Sequence, residues 1–279
     1  LFLQCRDRFD FLKISLPNDD PGHESMLIDF APNKISDKSF SFYSREVSLI
    51  INKILKNKNF FIREDEITNG IHPHHAKVTK KIQETLEENQ IKSIRGEGIF
   101  VIDESKKSEL LLNKLESKII KPIFYPKELK KYSSINQTDQ FIIYTNNKFN
   151  SSSVISKYPS IKSHLDRFKK VITSDFRPYG LHRARKEVFF TGEKIISLRK
   201  CPKPKFTFTD FDSYVLAEHY VIKTNRINLK YLTLYLNSKI IRFWLLNKGK
   251  MQGNIFQIDK EPLINIPIFD LEDKSFFLK

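Results

Sequence analysis

Four short apolar runs follow one another closely between residues 186 and 223, and this spacing constrains the fold more than any other feature. Each run is rich in β-branched and aromatic residues, which is typical of strands. Connections this short join antiparallel neighbours, so the segment predicts three or four strands in an antiparallel or mixed sheet. The runs are KEVFF (186–190), EKIISLR (193–199), KFTFT (205–209) and HYVIK (219–223).

Apolar residues at helical spacing predict helices around these strands. We expect one helix to begin after Phe42 and stop near Asn57, a second to be capped by Asp103, and a long last one to run from Asn228 to Gly249. The four stripes are Val47, Ile50, Ile51, Ile54 and Leu55; Leu111, Leu112, Leu115 and Ile119; Ile161, Leu165, Phe168 and Ile172; and Leu229, Leu232, Leu236, Ile240, Phe243 and Trp244.

Two further apolar runs predict strands, and they complete the predicted fold. RGEGIFVI (95–102) is read as a turn leading into a buried strand, and FIIYT (141–145) as another strand followed by a polar loop up to Ser153. Asn69 and Gly70 predict a tight turn. The predicted fold class is therefore mixed α/β, with small mixed or antiparallel sheets packed with several helices.

Length and composition limit the classes of protein to consider. With 279 residues, 40% of them hydrophobic, the chain can bury the core of one large domain or two smaller ones. Cys5 and Cys201 are too few for a disulfide framework, which favours the cytoplasm, and no apolar run reaches the length of a membrane span. Because the chain starts at Leu1 without the pattern of a signal peptide, we expect a fragment of a longer protein.

Positive charge is concentrated between residues 158 and 205. This segment has 13 Lys and Arg against four acids, so 13 − 4 = +9 of the net charge of +15 lies there. Such density predicts a polyanionic partner, and a solvated lysine-rich surface is the alternative. Arg177, His182, Arg183 and Arg185 crowd a Pro-Tyr-Gly turn, and the guanidinium fork suits phosphate and guanine edges.

Motifs of catalysis and cofactor binding are missing from the chain. The one Gly-x-Gly, Gly96-Glu97-Gly98, lacks a third glycine at Val101 and predicts a turn. The spacing of Glu104 with Lys106, and of Glu116 with Lys118, occurs in nucleases but arises easily by chance in a chain rich in Lys and Glu. We expect no catalytic, cofactor-binding or metal-binding residue in this chain.

The histidines and the tryptophan each have a plain structural interpretation. His72, His74 and His75 surround Pro73, and no further ligands stand at the spacing that a metal ion needs. A DNA-contacting loop and an ordinary surface turn both remain open for them. Trp244, between leucines at helical spacing, is predicted to be a core residue.

Eight segments, in this order, resemble a known family: the carboxy-terminal target-recognition region of type IIG restriction-modification enzymes and adenine methyltransferases, the TaqI-like specificity domain. The resemblance covers roughly residues 60 to 270. Its most specific parts are LHRAR (181–185) before the KII strand, the Leu236-Asn237-Ser238 sequence and the closing IPI (266–268). The segments are NGIHP (69–73), GEGIFVI (96–102), KPIFYPKELKKY (121–132), FIIYT (141–145), YPSIKSHLDRFK (158–169), GLHRARKEVFFTGEKIISLRK (180–200), LTLYLNSKIIRFWL (232–245) and KEPLINIPI (260–268).

The resemblance implies a parent protein that methylates adenine N6 in a short DNA sequence. It implies S-adenosylmethionine as the parent's cofactor, often a nuclease with magnesium, and a methyltransferase domain on the same polypeptide in a bacterial cytoplasm. The Asn-Pro-Pro-aromatic motif and the glycine-rich cofactor loop are missing, so this chain alone is expected to be non-catalytic. Residues 1–58 would be the end of the catalytic domain, or a linker, plus a helix, and residues 59–279 the DNA target-recognition domain.

A methyltransferase that flips its target base needs a separate module to hold the flanking base pairs, and such a module uses basic side chains on loops. We expect double-stranded DNA to be contacted by the basic segment and by loops near residues 69–75 and 248–254. A self-contained nuclease and an RNA-binding protein remain alternatives; metal binding would favour the first, and preference for RNA the second. The predicted DNA-binding residues are Arg177, His182, Arg183, Arg185, Lys200, Lys203, Lys205, His72, His74, Lys250 and Gln252.

Overall fold

The structure is a computed structural model that describes residues 12–13, 27–28 and 45–270, and the chain divides into two compact units. The part of residues 1–58 that is expected to be the end of a catalytic domain, or a linker, lies mostly outside the described residues. The first unit contains residues up to Phe60 together with Pro267–Phe269, and the second contains Phe61–Ile266 with Asp270.

The first unit has one long helix. Helix α1 (Arg45–Asn57) ends where the sequence predicts, and Ile51 on its apolar stripe is buried, although Ile50 is 46% exposed. Strands β1 (Leu12–Lys13) and β2 (Leu27–Ile28) pair antiparallel. Strand β3 (Phe60–Phe61) follows the helix, and the amide of Asn59 donates to the carbonyl of Ile268 in strand β15 (Pro267–Ile268) at 2.8 Å.

The second unit contains the remaining elements of the described chain. Its helices are α2 (Lys80–Glu88), α3 (Glu104–Glu109), α4 (Lys114–Ser117), α5 (Ser152–Ile155), α6 (Pro159–Arg167), α7 (Leu229–Leu236), α8 (Lys239–Lys248) and α9 (Lys260–Ile264). Its strands are β4 (Ile67–Asn69), β5 (Val101–Asp103), β6 (Ile120–Pro122), β7 (Tyr132–Ser133), β8 (Gln140–Ile143), β9 (Lys194–Leu198), β10 (Lys200–Cys201), β11 (Phe206–Thr209), β12 (His219–Ile222), β13 (Lys250–Gln252) and β14 (Ile255–Gln257). Short 3-10 turns occur at Glu64–Glu66, Asn147–Asn150 and Glu187–Phe189.

A five-stranded mixed sheet is the centre of this unit. Its order is β4-β12-β9-β11-β7, antiparallel except for the parallel pair of β11 and β7. Helix α7 packs against β9 and β11. Three of the four predicted strands are confirmed here, but KEVFF is not a strand. It forms a 3-10 turn, in which the amide of Phe190 donates to the carbonyl of Glu187 at 2.9 Å. The Glu187 carboxylate accepts from the hydroxyl of Tyr214 at 2.6 Å and pairs with Lys121 at 2.8 Å.

Two antiparallel three-stranded sheets accompany the central sheet. One has the order β5-β8-β6 and contains the predicted strands of RGEGIFVI and FIIYT; the other has the order β10-β14-β13. The predicted fold class, small mixed or antiparallel sheets packed with several helices, is confirmed. In the described part of the chain, no helix has the length and apolar character that crossing a membrane would need.

The helix predicted behind Asp103 is two short helices. Asp103 does cap α3, since its carboxylate accepts from the amide of Lys106 at 2.8 Å. Leu111, however, has a φ of 46° and is 86% exposed, so it interrupts the helix instead of packing in its stripe. Asn113 then begins α4 by accepting from the amide of Glu116 at 2.9 Å.

The long helix predicted behind Asn228 is also divided. Asn228 caps α7 and Gly249 ends α8 as predicted, but the chain breaks at Asn237 and Ser238. The Asn237 amide group pairs with the backbone of Phe206, donating at 2.7 Å and accepting at 3.2 Å. The Leu-Asn-Ser sequence therefore joins α7 to β11 and starts a second helix.

In helices α6, α7 and α8, most residues of the two predicted stripes are buried. Trp244 is 4% exposed, which confirms it as a core residue, whereas Ile240 is 51% exposed and does not belong to the core stripe. All four residues of the Ile161 stripe are buried, although α6 ends at Arg167. The polar run before Ser153 is not a plain loop, because Phe149 is buried within its 3-10 turn.

Asn69 and Gly70 do not form the predicted tight turn. Asn69 ends β4, and the chain continues extended through Gly70 and Ile71, whose amide donates to the carbonyl of Val215 at 2.8 Å. A Cβ at Gly70 would lie 2.0 Å from the carbonyl oxygen of Leu216. The glycine is needed for close approach of two backbones.

Candidate nucleic-acid interface

Two predicted DNA-contacting segments leave the same end of the five-stranded sheet. Strands β4 and β9 are both antiparallel to β12, so Asn69 and Leu198 end beside His219, where β12 begins. From this end the chain continues as residues 70–75 on one side and as residues 199–201 on the other. Loops that leave a rigid sheet at one end are a common position for binding residues.

The basic segment joins the first of these loops through a backbone pair. The amide of His72 donates to the carbonyl of Arg183 at 3.0 Å, and the amide of Arg183 donates back to His72 at 2.9 Å. This antiparallel bridge brings predicted site residues from two distant parts of the sequence into contact. We call the resulting surface the His-Arg surface, formed by residues 72–75 and 182–185.

Four imidazoles lie together on this surface and form the histidine cluster. The ring centroid of His74 is 4.3 Å from that of His75 and 5.5 Å from that of His182. The ring centroids of His72 and His182 are 5.2 Å apart. Thr173 Oγ1 lies 3.1 Å from Nε2 of both His74 and His75. Sequence reasoning noted His75 but did not select it, and Thr173 carried no signal.

The pKa values of two of these imidazoles, His72 and His75, are lowered. Burial lowers the pKa of His72, and the charges of His182 and His74 lower it further. Burial likewise lowers the pKa of His75, followed by the charge of His74. Asp175 Oδ2 lies 3.3 Å from Nδ1 of His182, within ion-pair distance but outside hydrogen-bond geometry.

Arg185 is held from three directions. Its Nε donates to the carbonyl of Gly70 at 3.4 Å, Nη2 donates to Oδ1 of Asn69 at 3.5 Å, and the hydroxyl of Tyr144 donates to the Arg185 carbonyl at 3.0 Å. Its φ of 66° is left-handed, a conformation that costs a non-glycine residue about 1–2 kcal/mol. Burial lowers the pKa of the guanidinium, with the charge of Arg183 as a smaller cause.

Arg183 and Arg177 present exposed side chains. Among the described residues, the backbone of Arg183 forms the bridge to His72. Arg177 precedes a cis peptide bond to Pro178. Asn150 holds the turn that carries Arg177. Its side chain donates to the carbonyl of Phe176 at 2.7 Å and accepts from the amide of Tyr179 at 3.1 Å.

A second group of predicted residues shares the small sheet β10-β14-β13. Strand β14 lies between β10 and β13. Its residue Gln257 is the register partner of Lys200 on one side and of Lys250 on the other. Lys200 Nζ lies 3.4 Å from Oε1 of Gln252. Lys250 forms an ion pair with Glu261, which neutralises part of the charge of this sheet.

Lys203 and Lys205 differ in a way that the sequence did not indicate. Lys203 is exposed. Lys205 is partly buried, its Nζ donates to the carbonyl of Pro126 at 3.0 Å, and burial lowers its pKa. Its ammonium group is therefore already bound to the protein.

The acidic residues and histidines of the described chain have structural surroundings. Among the described residues, no three His, Cys, Asp or Glu side chains are arranged to hold a metal ion. Glu116 is buried and accepts from the amides of Ser160 at 2.7 Å and Ile161 at 3.1 Å, so its role is structural. Lys106 pairs with Glu109 at 2.7 Å.

The Gly96-Glu97-Gly98 segment forms a turn and lines a groove of about 1250 Å³ with helices α3 and α6. Gly96 has a φ of 89°, and Glu97 accepts from Arg167 at 2.6 Å across the groove. None of the predicted DNA-binding residues lines it.

Comparison with known families gives one match over much of the chain. The model of the TaqI-like C-terminal specificity domain matches residues 121–268, a little over half of the chain. The match contains nine of the eleven predicted DNA-binding residues, and His72 and His74 precede it. The resemblance inferred from the sequence is confirmed.

Two similar proteins are both type II methyltransferases. Type II methyltransferase M.HincII of Haemophilus influenzae is 26% identical over 141 residues, covering 47% of this chain and 27% of the relative. Type II methyltransferase M.HindII of Haemophilus influenzae strain Rd is 27% identical over 138 residues, covering 46% and 26%. The chain thus spans about a quarter of the length of these curated relatives.

Among solved structures, the type IIL restriction-modification enzyme MmeI in complex with DNA is similar at a TM-score of 0.43 and 12% identity, over 72% of this chain and 24% of that one.

Proposed function

This chain belongs to the family of the TaqI-like C-terminal specificity domain, and we propose that it recognises a short sequence in duplex DNA for a catalytic domain. The family match over residues 121–268 carries the proposal. The His-Arg surface supports it, because its basic residues come from segments about 110 positions apart and meet at the end of one sheet.

The electrostatics of this surface suit a polyanion. In the part of the chain that the structure describes, neither Arg183 nor Arg185 has a carboxylate within ion-pair distance, whereas Arg167, Arg199 and Arg226 each have one. An arginine without an internal counter-ion gains more from a phosphate or base edge than one already paired. Lys200 and Lys203 of the basic segment are exposed as well.

The parent protein is proposed to be an adenine-N6 DNA methyltransferase of a restriction-modification system in a bacterial cytoplasm. It would use S-adenosylmethionine in a methyltransferase domain on the same polypeptide, with a magnesium-dependent nuclease as a further activity of the system. The names of the two curated relatives support methyl transfer. In this division of labour the present chain holds the duplex while the target base is extruded.

Binding of the full-length protein to three probes tests the proposal. Duplex DNA, single-stranded DNA and RNA of one sequence would be titrated across a salt series. We expect duplex DNA to be preferred, and the Arg183→Ala change to weaken binding and lower the salt slope by about one. Lys80→Ala, an equal charge change at an exposed position of α2, is the matched control and should change neither quantity. Equal or better binding of RNA would refute the proposal.

A further inference from the structure

Arg183 and Arg185 are two residues apart but are held very differently. Arg183 is exposed, and its side chain makes no hydrogen bond or ion pair with the described residues. Arg185 is partly buried, and its side chain donates to Gly70 and Asn69 at 3.4 and 3.5 Å. Its backbone is fixed as well, because Tyr144 binds its carbonyl at 3.0 Å. Arg185 therefore has less conformational freedom to lose than Arg183 when it meets a ligand.

The hydrogen bonds of Arg185 leave part of its guanidinium available. Nε and one N–H of Nη2 are directed at the protein, so both N–H groups of Nη1 and the second N–H of Nη2 remain. These groups form the terminal edge of the fork. That edge matches two neighbouring acceptors, as on O6 and N7 of guanine or on a phosphate.

Asn69 is the residue that orients this fork. Its Nδ2 donates to the carbonyls of Ala217 and His219, each at 3.1 Å, which fixes the amide plane at the end of β4. Its Oδ1 then points at Nη2 of Arg185. Every polar atom of the Asn69 side chain is in use, so its orientation is determined by the sheet.

We propose that Arg185 reads a base edge in DNA and that Asn69 is its positioning residue, an inference that rests on the proposed function. A base contact requires a donor pair at a fixed position and angle, which the tethered Arg185 provides. An exposed, untethered side chain such as Arg183 suits a phosphate, whose position is less demanding.

Selection from a random-sequence duplex library by the full-length protein separates the two arginines. Arg185→Lys keeps the charge but removes the fork. We expect the preference at one base-pair position to fall by about 5- to 150-fold, with the salt slope unchanged. Arg183→Lys is the matched control and should leave the selected sequence as it is. A profile that Arg185→Lys leaves intact would overturn the proposal, and so would a uniform weakening with a changed slope, since that marks a phosphate contact.

Two changes at Asn69 test the positioning role. Asn69→Ala removes the acceptor for Arg185 and the donors to the sheet, whereas Asn69→Asp keeps an acceptor but places a carboxylate oxygen beside the carbonyls of Ala217 and His219. Because the lost donors fix the amide plane, we expect both variants to lose preference at the same position as Arg185→Lys, with thermal unfolding measured for both. Asn69→Ala combined with Arg185→Lys should cause no further loss at that position. An unchanged preference in the alanine variant, or an additional loss in the double variant, would overturn the role of Asn69. Failure of the wild-type protein to select any sequence would instead refute the proposed function.

Discussion

Replacing Gly70 with alanine is the sharpest test of how the His-Arg surface is supported. The new Cβ would lie 2.0 Å from the carbonyl oxygen of Leu216 and 2.7 Å from that of Val215. Contacts of a Cβ below 3.0 Å essentially never occur, so the two backbones must separate by about 1 Å. Neither obstacle is a flexible side chain, and the strain has to be absorbed by the sheet end itself.

The expected loss of stability follows from this displacement. Overpacking of this kind costs about 1–3 kcal/mol. The separation also weakens two hydrogen bonds, from the amide of Gly70 to His219 at 2.9 Å and from that of Ile71 to Val215 at 2.8 Å, worth about 0.5–1.5 kcal/mol each. Together these contributions predict that the free energy of unfolding falls by about 2–6 kcal/mol.

Urea denaturation of the purified variants measures this loss. Gly96→Ala is the control, because Gly96 has a φ of 89° but no atom within 4 Å of the added Cβ, so it should cost only about 1 kcal/mol of backbone strain. DNA affinity should fall in the Gly70 variant alone, since Gly70 also accepts a hydrogen bond from Arg185. If Gly70→Ala were no less stable than Gly96→Ala, the argument from backbone approach would be wrong.

Three further predictions concern the core and the charges around the site. Burial lowers the pKa of His219 to about 4, so as the pH falls this residue is protonated in the unfolded chain before it is protonated in the folded chain. Stability should therefore fall by about 3 kcal/mol as the pH drops from about 6.5 to 4, and a urea titration of His219→Leu should lack this loss. Trp244→Ala should cost about 3–5 kcal/mol, with DNA affinity falling only as far as folding does; a stable variant that no longer binds DNA would contradict the core assignment. Lys203→Ala should reduce the salt slope of DNA binding by about one, whereas Lys205→Ala should change the slope less, because its ammonium binds Pro126; equal slopes for both variants would refute the distinction.

Local sequence patterns predicted the elements whose causes are local. Strands β9, β11 and β12 follow from apolar and β-branched runs between short turns, and all three lie in one sheet. Asp103 and Asn228 are confirmed as caps. Each accepts from the backbone amide three residues further along the chain, so both partners of the bond lie within one short segment. Bonds between residues this close in sequence can be predicted from the local residue types.

Errors arose where a distant residue decides the local structure. The break at Asn237 depends on the backbone of Phe206, 31 residues away. Likewise, Asn69 and Gly70 have the composition of a hairpin turn, but the glycine is required by the backbone of Leu216. A single sequence states the residue types and not these partners.

The same limit applies to the charges of the site. Composition identifies the basic segment, but it predicts DNA binding for Lys203 and Lys205 alike. The structure distinguishes them, because the Lys205 ammonium group donates to the carbonyl of Pro126. Lys250 was chosen as a cation, yet Glu261 pairs with it. Availability for a ligand is a property of the folded chain, because it depends on which counter-ions the fold brings near.

The arrangement of the sheet end separates the residues that hold the fold from the exposed residues of the His-Arg surface. The side chains of β4, β9 and β12 are fixed by registered pairing and by the core behind them. Beyond this pairing, the side chains of His72, His74 and Lys200 are exposed, so substitutions of these side chains should alter contacts with a ligand and leave the sheet intact. Asn69 lies at the boundary, with its donors in the sheet and its acceptor on the His-Arg surface. Changes at the exposed positions should therefore affect recognition alone, and changes at Asn69 or Gly70 should affect recognition and stability together.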